Sequence, residues 1–217
     1  GTVTETEYLI GCDGGDSSIR TKLIPDSKLT FSGYACWRGF IENPALFNIP
    51  YTETWGPRGR FGIAPLPDNQ LYWYAFKKLE HSKVDMPNWT PIDLLFNFFY
   101  YHDPIQQILE STKQENIIYD ELYVLKPLEQ FDFGNILLMG DSAHASLPNI
   151  GQGASQAIED AVYVSKWITS EKTIDHAFEM YNKHRQERMK IVENETKIYG
   201  RAARVDFPVL CSLRNKL

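Results

Sequence analysis

The sequence predicts an α+β fold, and three observations carry that prediction. Four strand-like runs, at residues 33–42, 51–56, 60–66 and 71–79, follow one another between Gly- and Pro-containing turns, the pattern of a largely antiparallel meander. Helical composition follows from Pro91 to about Thr112. Two short apolar runs outside this region, Tyr8-Leu9-Ile10-Gly11 and Asn135-Ile136-Leu137-Leu138-Met139, each enter a glycine-rich turn, as buried strands of a second layer do.

Tyr8 to Gly11 is a buried strand. Residues 33–42 (GYACWRGFIE) are aromatic-rich and bounded by Gly33 and Pro44, which gives the next strand. In the run 71–79, Tyr72, Tyr74 and Phe76 face one way and Leu71, Trp73 and Ala75 the other, because strand side chains alternate. Pro91 suits the first turn of a helix reaching about Tyr101, and Asp103-Pro104 opens another to about Thr112. A strand near 117–124 and the buried strand 135–139 precede Gly140-Asp141. Residues 153–168 place Ala154, Ala157, Ile158, Ala161, Val164 and Ile168 on one face at helical spacing. The tail from about Thr173 to Ala203 reads as one or two amphipathic helices, and the mixed-sign cluster from Asn182 to Lys190 reads as a solvated helix face.

Composition narrows the function classes. With 217 residues, 43% of them hydrophobic and 23% charged, the chain can bury a core without staples. A net charge of −6 and a pI near 5.4 argue against nucleic acid or an anionic membrane as partner. The three cysteines, Cys12, Cys36 and Cys211, are widely spaced with no CxxC, which disfavours a disulfide framework or zinc site and favours a reducing, cytoplasmic setting. No apolar run approaches the roughly 20 residues of a membrane helix, and no signal peptide is visible. The chain opens at Gly1-Thr2-Val3 without an initiator Met, and the expectation is a piece cut from something longer.

Two constellations carry chemistry. In the first, Gly11-Cys12-Asp13-Gly14-Gly15-Asp16-Ser17-Ser18-Ile19-Arg20, a strand ends, an Asp follows, and two glycines allow a sharp turn. Ser17 or Ser18 then caps a short helix. Taken alone it reads equally as a plain strand-to-helix turn. In the second, Gly140-Asp141-Ser142-Ala143-His144 leads through Pro148 to Gly151-Gln152-Gly153-Ala154 and a long helix. A buried strand delivers an acid at its C-terminal end, where α/β sheets bind ligands. Gly151 and Gly153 then bring bare amides to a helix start, which favours negative charge. The plainer reading here is a tight connection capped by Asp141.

These residues resemble the flavoprotein aromatic hydroxylases, the FAD-dependent monooxygenases. The first segment, GCDGGDSSIR, is similar to their DG motif, G-A-D-G-x-x-S-x-V-R. The second, GDSAHASLPNIGQG, is similar to their GD motif, G-D-A-A-H-x-x-x-P-x-x-G-Q-G, with Ser142 in place of the commoner Ala. The resemblance extends over essentially the whole chain. It implies Asp13 and Gly14 near the FAD pyrophosphate and ribose, Asp141 on the ribityl chain and Pro148 beside the isoalloxazine ring. It also implies the backbone of Gly151, Gln152, Gly153 and Ala154 facing flavin N1 and O2. A helix start stabilises charge there by roughly 0.3–2 kcal/mol. The resemblance further implies NAD(P)H as co-substrate, O2 as oxidant, oxygen transfer through a flavin C4a-hydroperoxide, and a small aromatic substrate. Tyr34, Trp37, Phe61, Tyr72 and Tyr74 are candidates for an aromatic pocket, with core packing the alternative for most of them. Arg38 is a candidate for steering a carboxylate, with a surface ion pair the alternative. The resemblance singles out no catalytic residue and no metal ligand. His144 is a candidate acid or base, but its position in the family belongs chiefly to the motif loop.

The family opens with a strand, a GxGxxG turn and a helix, and only ten residues precede Gly11, fewer than the roughly 30 of a βαβ unit. The expectation is therefore a chain lacking that half of the cofactor site, inactive or weak in FAD binding by itself, with open sheet edges that invite homo-oligomers. The expected division is a FAD-domain remnant at 1–30, a substrate domain at 31–124, the GD segment and helix at 125–170, and C-terminal helices at 171–217. Three rivals stand beside this reading. One is a non-catalytic substrate lobe. Another is a GDSL-like hydrolase using Ser142 and His144, although a triad needs separate elements to present them. The third is a reductase or epoxidase of the same superfamily.

Overall fold

The computed structural model describes residues 2–42, 49–79, 86–203 and 205. Pro44, the expected boundary of the second strand, and Cys211 lie outside these residues. The chain divides into two compact units. One comprises residues 1–32 and 123–200, the other residues 33–122 and 201–217.

The first unit begins with β1 (Leu9–Gly11), which pairs in parallel with β7 (Ile136–Leu138) in the register Leu9↔Ile136, Ile10↔Leu137 and Gly11↔Leu138. Before β7 the chain folds back on itself. Leu138 donates to the Phe131 carbonyl and Phe133 to the Ile136 carbonyl, and Gly134 takes the positive φ of 69° that the turn requires. After β1 comes α1 (Ser18–Leu23), and Ser17 is its cap: the Ser17 side chain accepts the Arg20 amide. After β7 come the short α4 (Asp141–His144), a 3-10 turn at Pro148–Ile150, α5 (Gly153–Ser170) and a single long α6 (Ile174–Ala203). Leu137, Leu138, Ala143, Val164 and Phe178 form the core between them.

The second unit is a five-stranded sheet in the order β3-β4-β5-β2-β6, built from β2 (Leu29–Glu42), β3 (Thr52–Gly56), β4 (Gly59–Pro65), β5 (Gln70–Lys78) and β6 (Ile118–Leu125). The β3-β4, β4-β5 and β2-β5 pairs are antiparallel. The β4-β5 turn holds Asp68 and Asn69 at φ near 58°, the left-handed geometry that Asp and Asn tolerate and hairpins require. One sheet face carries α2 (Pro91–Asn97) and α3 (Ile105–Ser111), and Trp37, Phe61, Trp73, Leu94 and Ile105 are packed there. Thr90 and Asp93 form a capping box at α2, with Pro91 in its first turn.

Four expectations are corrected. The strand at Tyr8 to Gly11 is not buried throughout: Leu9 and Ile10 are each 38% exposed, and Gly11 is buried. The helix from Pro91 ends at Asn97, not near Tyr101. Phe98 and Tyr101 turn into the core, and the Tyr101 hydroxyl donates to the Gly59 carbonyl at 2.7 Å. On α5 the apolar stripe is buried only in part, at Val164. Ile158 is 67% exposed, while Gln156, Asp160 and Val164 face inward. The cluster Asn182 to Lys190 is not wholly solvated, because Arg185 is fully buried. The last two corrections share a cause: the buried seam between α5 and α6 is built on an ion pair.

Candidate functional site

The two glycine-rich segments meet inside the first unit. The buried Ser142 hydroxyl, with one proton to share, lies within donating distance of the carbonyls of Gly11 at 2.7 Å and Met139 at 2.6 Å. Arg20, also buried, donates to the carbonyls of Ser142 at 3.1 Å, Ser27 at 3.0 Å and Gly15 at 2.6 Å. A guanidinium spread over three carbonyls satisfies buried groups of both motifs at once. The sequence placed Arg20 in a motif without indicating this role.

Asp13 is turned toward its own helix. Its carboxylate accepts the Ser17 hydroxyl at 2.5 Å, the Ser18 amide at 2.8 Å and the Ile19 amide at 3.1 Å. Desolvation, the largest influence, pushes its pKa up, but these hydrogen bonds outweigh it and hold the group below the usual aspartate value. Gly14, at φ 83°, has open space where a side chain would stand.

Asp141 opens α4 at the C-terminal end of β7. Its side chain is exposed, and among the described residues no hydrogen bond or ion pair engages its carboxylate. Past it, Pro148 is exposed in the 3-10 turn and Gly151 closes that turn at φ 64°. Gln152 stands at the start of α5 with no side-chain cap, so the amides of Gly153, Ala154 and Ser155 are left without helical acceptors. A Cβ added to Gly151 or Gly153 would meet no atom within 4 Å. An unpartnered acid, free amides and bare glycines form an open, polar surface of the kind a flavin ring and its ribityl hydroxyls require, and these residues fit that group.

Behind this surface lies a polar network that the sequence did not disclose. His144 Nε2 stands 2.7 Å from Asp160 Oδ2. A carboxylate only accepts, so the ring carries a proton on Nε2. The same oxygen accepts the Gly140 amide at 2.7 Å, and Arg185 Nε reaches Asp160 Oδ1 at 2.6 Å. The signal available was the spacing Gln156-Asp160-Val164, an inward stripe at i, i+4 and i+8 with a charge at its centre. The hydrolase reading does not survive this arrangement: Ser142 is sealed against backbone carbonyls and His144 is bound to Asp160.

In the second unit, Trp37 and Phe61 are core residues with no exposure. Tyr72 and Tyr74 are half-buried on the opposite sheet face, which Arg38 and Tyr34 share by strand alternation. The Tyr74 hydroxyl lies 3.1 Å from that of Tyr51, and burial raises its pKa. Arg38 Nη2 stands 2.6 Å from Asp120 Oδ2, with both side chains nearly half exposed. Cys12 and Cys36 are free thiols, and burial pushes that of Cys36 up to about 12. No group of metal-ligating side chains occurs among the described residues, and no helix among them is long and apolar enough to cross a membrane.

A family model described as FAD binding domain matches residues 123–196. The chain is 33% identical over 212 residues to the aurachin C monooxygenase/isomerase of Stigmatella aurantiaca, covering 97% of this chain and 55% of that protein. It is 34% identical over 157 residues to the chloroplastic zeaxanthin epoxidase of Nicotiana plumbaginifolia, covering 71% of this chain and 24% of that protein. The chain thus spans about half the length of one relative and a quarter of the other. Its fold matches the crystal structure of Klebsiella pneumoniae HpxO complexed with FAD and uric acid, with a TM-score of 0.89 and 21% identity over 100% of this chain and 57% of that one. It also matches a salicylate hydroxylase substrate complex, with a TM-score of 0.79 and 23% identity over 94% of this chain and 56% of that one.

Proposed function

We propose that the chain is part of an FAD-dependent monooxygenase, serving in the NAD(P)H-driven insertion of one oxygen atom of O2 into an aromatic or similarly small organic substrate. The observation that carries the reading is the open half-site: the exposed Asp141 carboxylate beside the uncapped, glycine-flanked start of α5. FAD, when bound, supplies electron transfer from NAD(P)H and activation of O2. Asp141 is suited to accept hydrogen bonds from ribityl hydroxyls. The amides at Gly153 and Ala154 are suited to a ring edge that gains negative charge on reduction, because a helix N-terminus favours an anion. Relatives named for monooxygenation and for epoxidation support oxygen insertion as the shared chemistry.

The substrate assignment follows from the sheet face that carries Arg38, Tyr72 and Tyr74. Two aromatic rings and two phenolic hydroxyls suit a planar, hydrogen-bonding molecule. Arg38 is already paired with Asp120, which favours an uncharged ring over a carboxylate. FAD titration of the purified chain, followed by flavin fluorescence and visible absorption, tests the reading. Saturable quenching that Asp141→Ala weakens by about tenfold or more is expected, with NADH or NADPH oxidation stimulated by neutral phenols as the next readout. Quenching that Asp141→Ala leaves untouched would move the cofactor site elsewhere.

A further inference from the structure

The network behind the half-site is organised by one buried anion. Asp160 has no exposure. Its Oδ2 holds the Gly140 amide and the His144 ring, each at 2.7 Å, and its Oδ1 holds Arg185. Gly140 stands at φ 59° and ψ −144°, a region open essentially to glycine alone, and its backbone sets the direction in which Asp141 leaves β7. Arg185 carries the contact onward. Its Nη2 donates to the Gln156 carbonyl at 3.2 Å and to the Gln156 side-chain oxygen at 2.9 Å, while Gln156 closes the first turn of α5 on Gln152. Nη1 lies 2.7 Å from Glu159. One carboxylate therefore grips, directly or through Arg185, both halves of the surface assigned to the flavin.

We propose that Asp160 is a positioning residue, which fixes the Asp141 turn and the α5 N-terminus in one relative geometry and so sets flavin affinity and environment without touching the cofactor. The inference rests on the FAD reading above. Stability alone does not account for the anion, because a buried ion pair can be replaced by neutral side chains of similar volume at little or no loss of stability. Holding a glycine amide and a ring nitrogen on one oxygen is a task that neutral packing does not perform.

The test compares Asp160→Asn and the double variant Asp160→Asn/Arg185→Met with the unaltered chain. Thermal unfolding, FAD titration, the absorption band of bound flavin, and NMR of the ligand-free Gly140 and Asp141 amides are measured. The double variant leaves no unpaired buried charge and is expected to fold. Its FAD affinity is expected to fall by about tenfold or more, as for loss of a hydrogen bond to a charged group, with a shifted flavin band and displaced Gly140 and Asp141 signals. Affinity within about twofold of the unaltered chain, a small fraction of one such hydrogen bond, overturns the proposal, as do unmoved amide signals. If the unaltered chain binds no FAD, the FAD reading fails by itself, and the ligand-free signals decide whether Asp160 fixes the turn. Should the double variant not fold, His144→Gln and His144→Leu probe the same oxygen. Gln keeps a donor to Asp160 and is expected to hold flavin better than Leu, and equal affinities overturn the proposal.

Discussion

Ser142 donates its hydroxyl to the Gly11 carbonyl at 2.7 Å across 131 positions of sequence, so a small side chain welds the two glycine-rich motifs together out of reach of solvent. Ser142→Ala is expected to fold and to lose about 1 kcal/mol, the usual net worth of such a bond, read as a lower urea midpoint at constant slope. An unchanged midpoint would mean that the Met139 amide, which also reaches Gly11, suffices alone.

Asp141→Ala separates ligand from fold. No described residue uses this carboxylate, so unfolding should stay within about 0.5 kcal/mol of the unaltered chain, as at other surface sites. FAD affinity should drop by about tenfold or more, since hydrogen bonds to a charged group are the stronger kind.

Gly153→Val asks whether the bare start of α5 is a contact surface. The side chain has room and Val is a slightly better helix former than Gly, so melting should shift by no more than about 0.5 kcal/mol, whereas flavin quenching should be lost. A variant that still binds flavin normally would take the α5 N-terminus out of the site.

Acid should weaken the first unit through Asp160. Burial, the largest influence, raises its pKa, but the hydrogen bond and charge of His144, the Gly140 amide and Arg185 outweigh it, leaving the group below the ordinary 3.8. A depressed carboxyl contributes stability that is present above the unfolded pKa and lost as pH falls through the folded one. Asp13 acts in the same direction. Urea midpoints should therefore fall steeply below pH 3.8, and Asp160→Asn should flatten that fall. Parallel curves would assign the acid sensitivity to other carboxylates.

Gly62→Ala should disturb one side chain selectively. The added methyl would stand 2.0 Å from Tyr74 Cζ, at the mobile end of a side chain, so the ring should swing away and lose its contact with the Tyr51 hydroxyl. A changed near-ultraviolet circular dichroism signal with retained far-ultraviolet signal is expected. Substrate-stimulated NAD(P)H oxidation should fall if Tyr74 lines the substrate face.

Much of this was legible because it depends on local rules. Alternation separated Leu71, Trp73 and Ala75 from Tyr72 and Tyr74, and Ser17 and Pro91 marked their helix starts in advance. The strand-to-helix segments around Asp13 and Asp141 announced themselves through glycines that only special backbone geometry explains. What escaped reading was the charge inside. Asp160 and Arg185 look, in sequence, like any exposed helix charges. Hydrophobic patterning put Ile158 and Ile168 on the same inward face of α5 as Val164, and only Val164 is buried, because patterning has no means of recognising a seam made of an ion pair. Arg20 escaped for the same reason: its acceptors are backbone carbonyls, which leave no trace in side-chain identity.

The parallel pairing of Gly11 with Leu138 also has a consequence in time. Residues 33–122 form a nearly self-contained stretch, whose hairpins can close locally as the chain emerges from the ribosome. Among the described strands, the one that pairs with Leu9–Gly11 is made more than a hundred residues after it, and the entropy of closing a loop grows with its length. The pairing of β1 with β7 is therefore a late step of synthesis, completed only after the hairpins of residues 33–122 have been made.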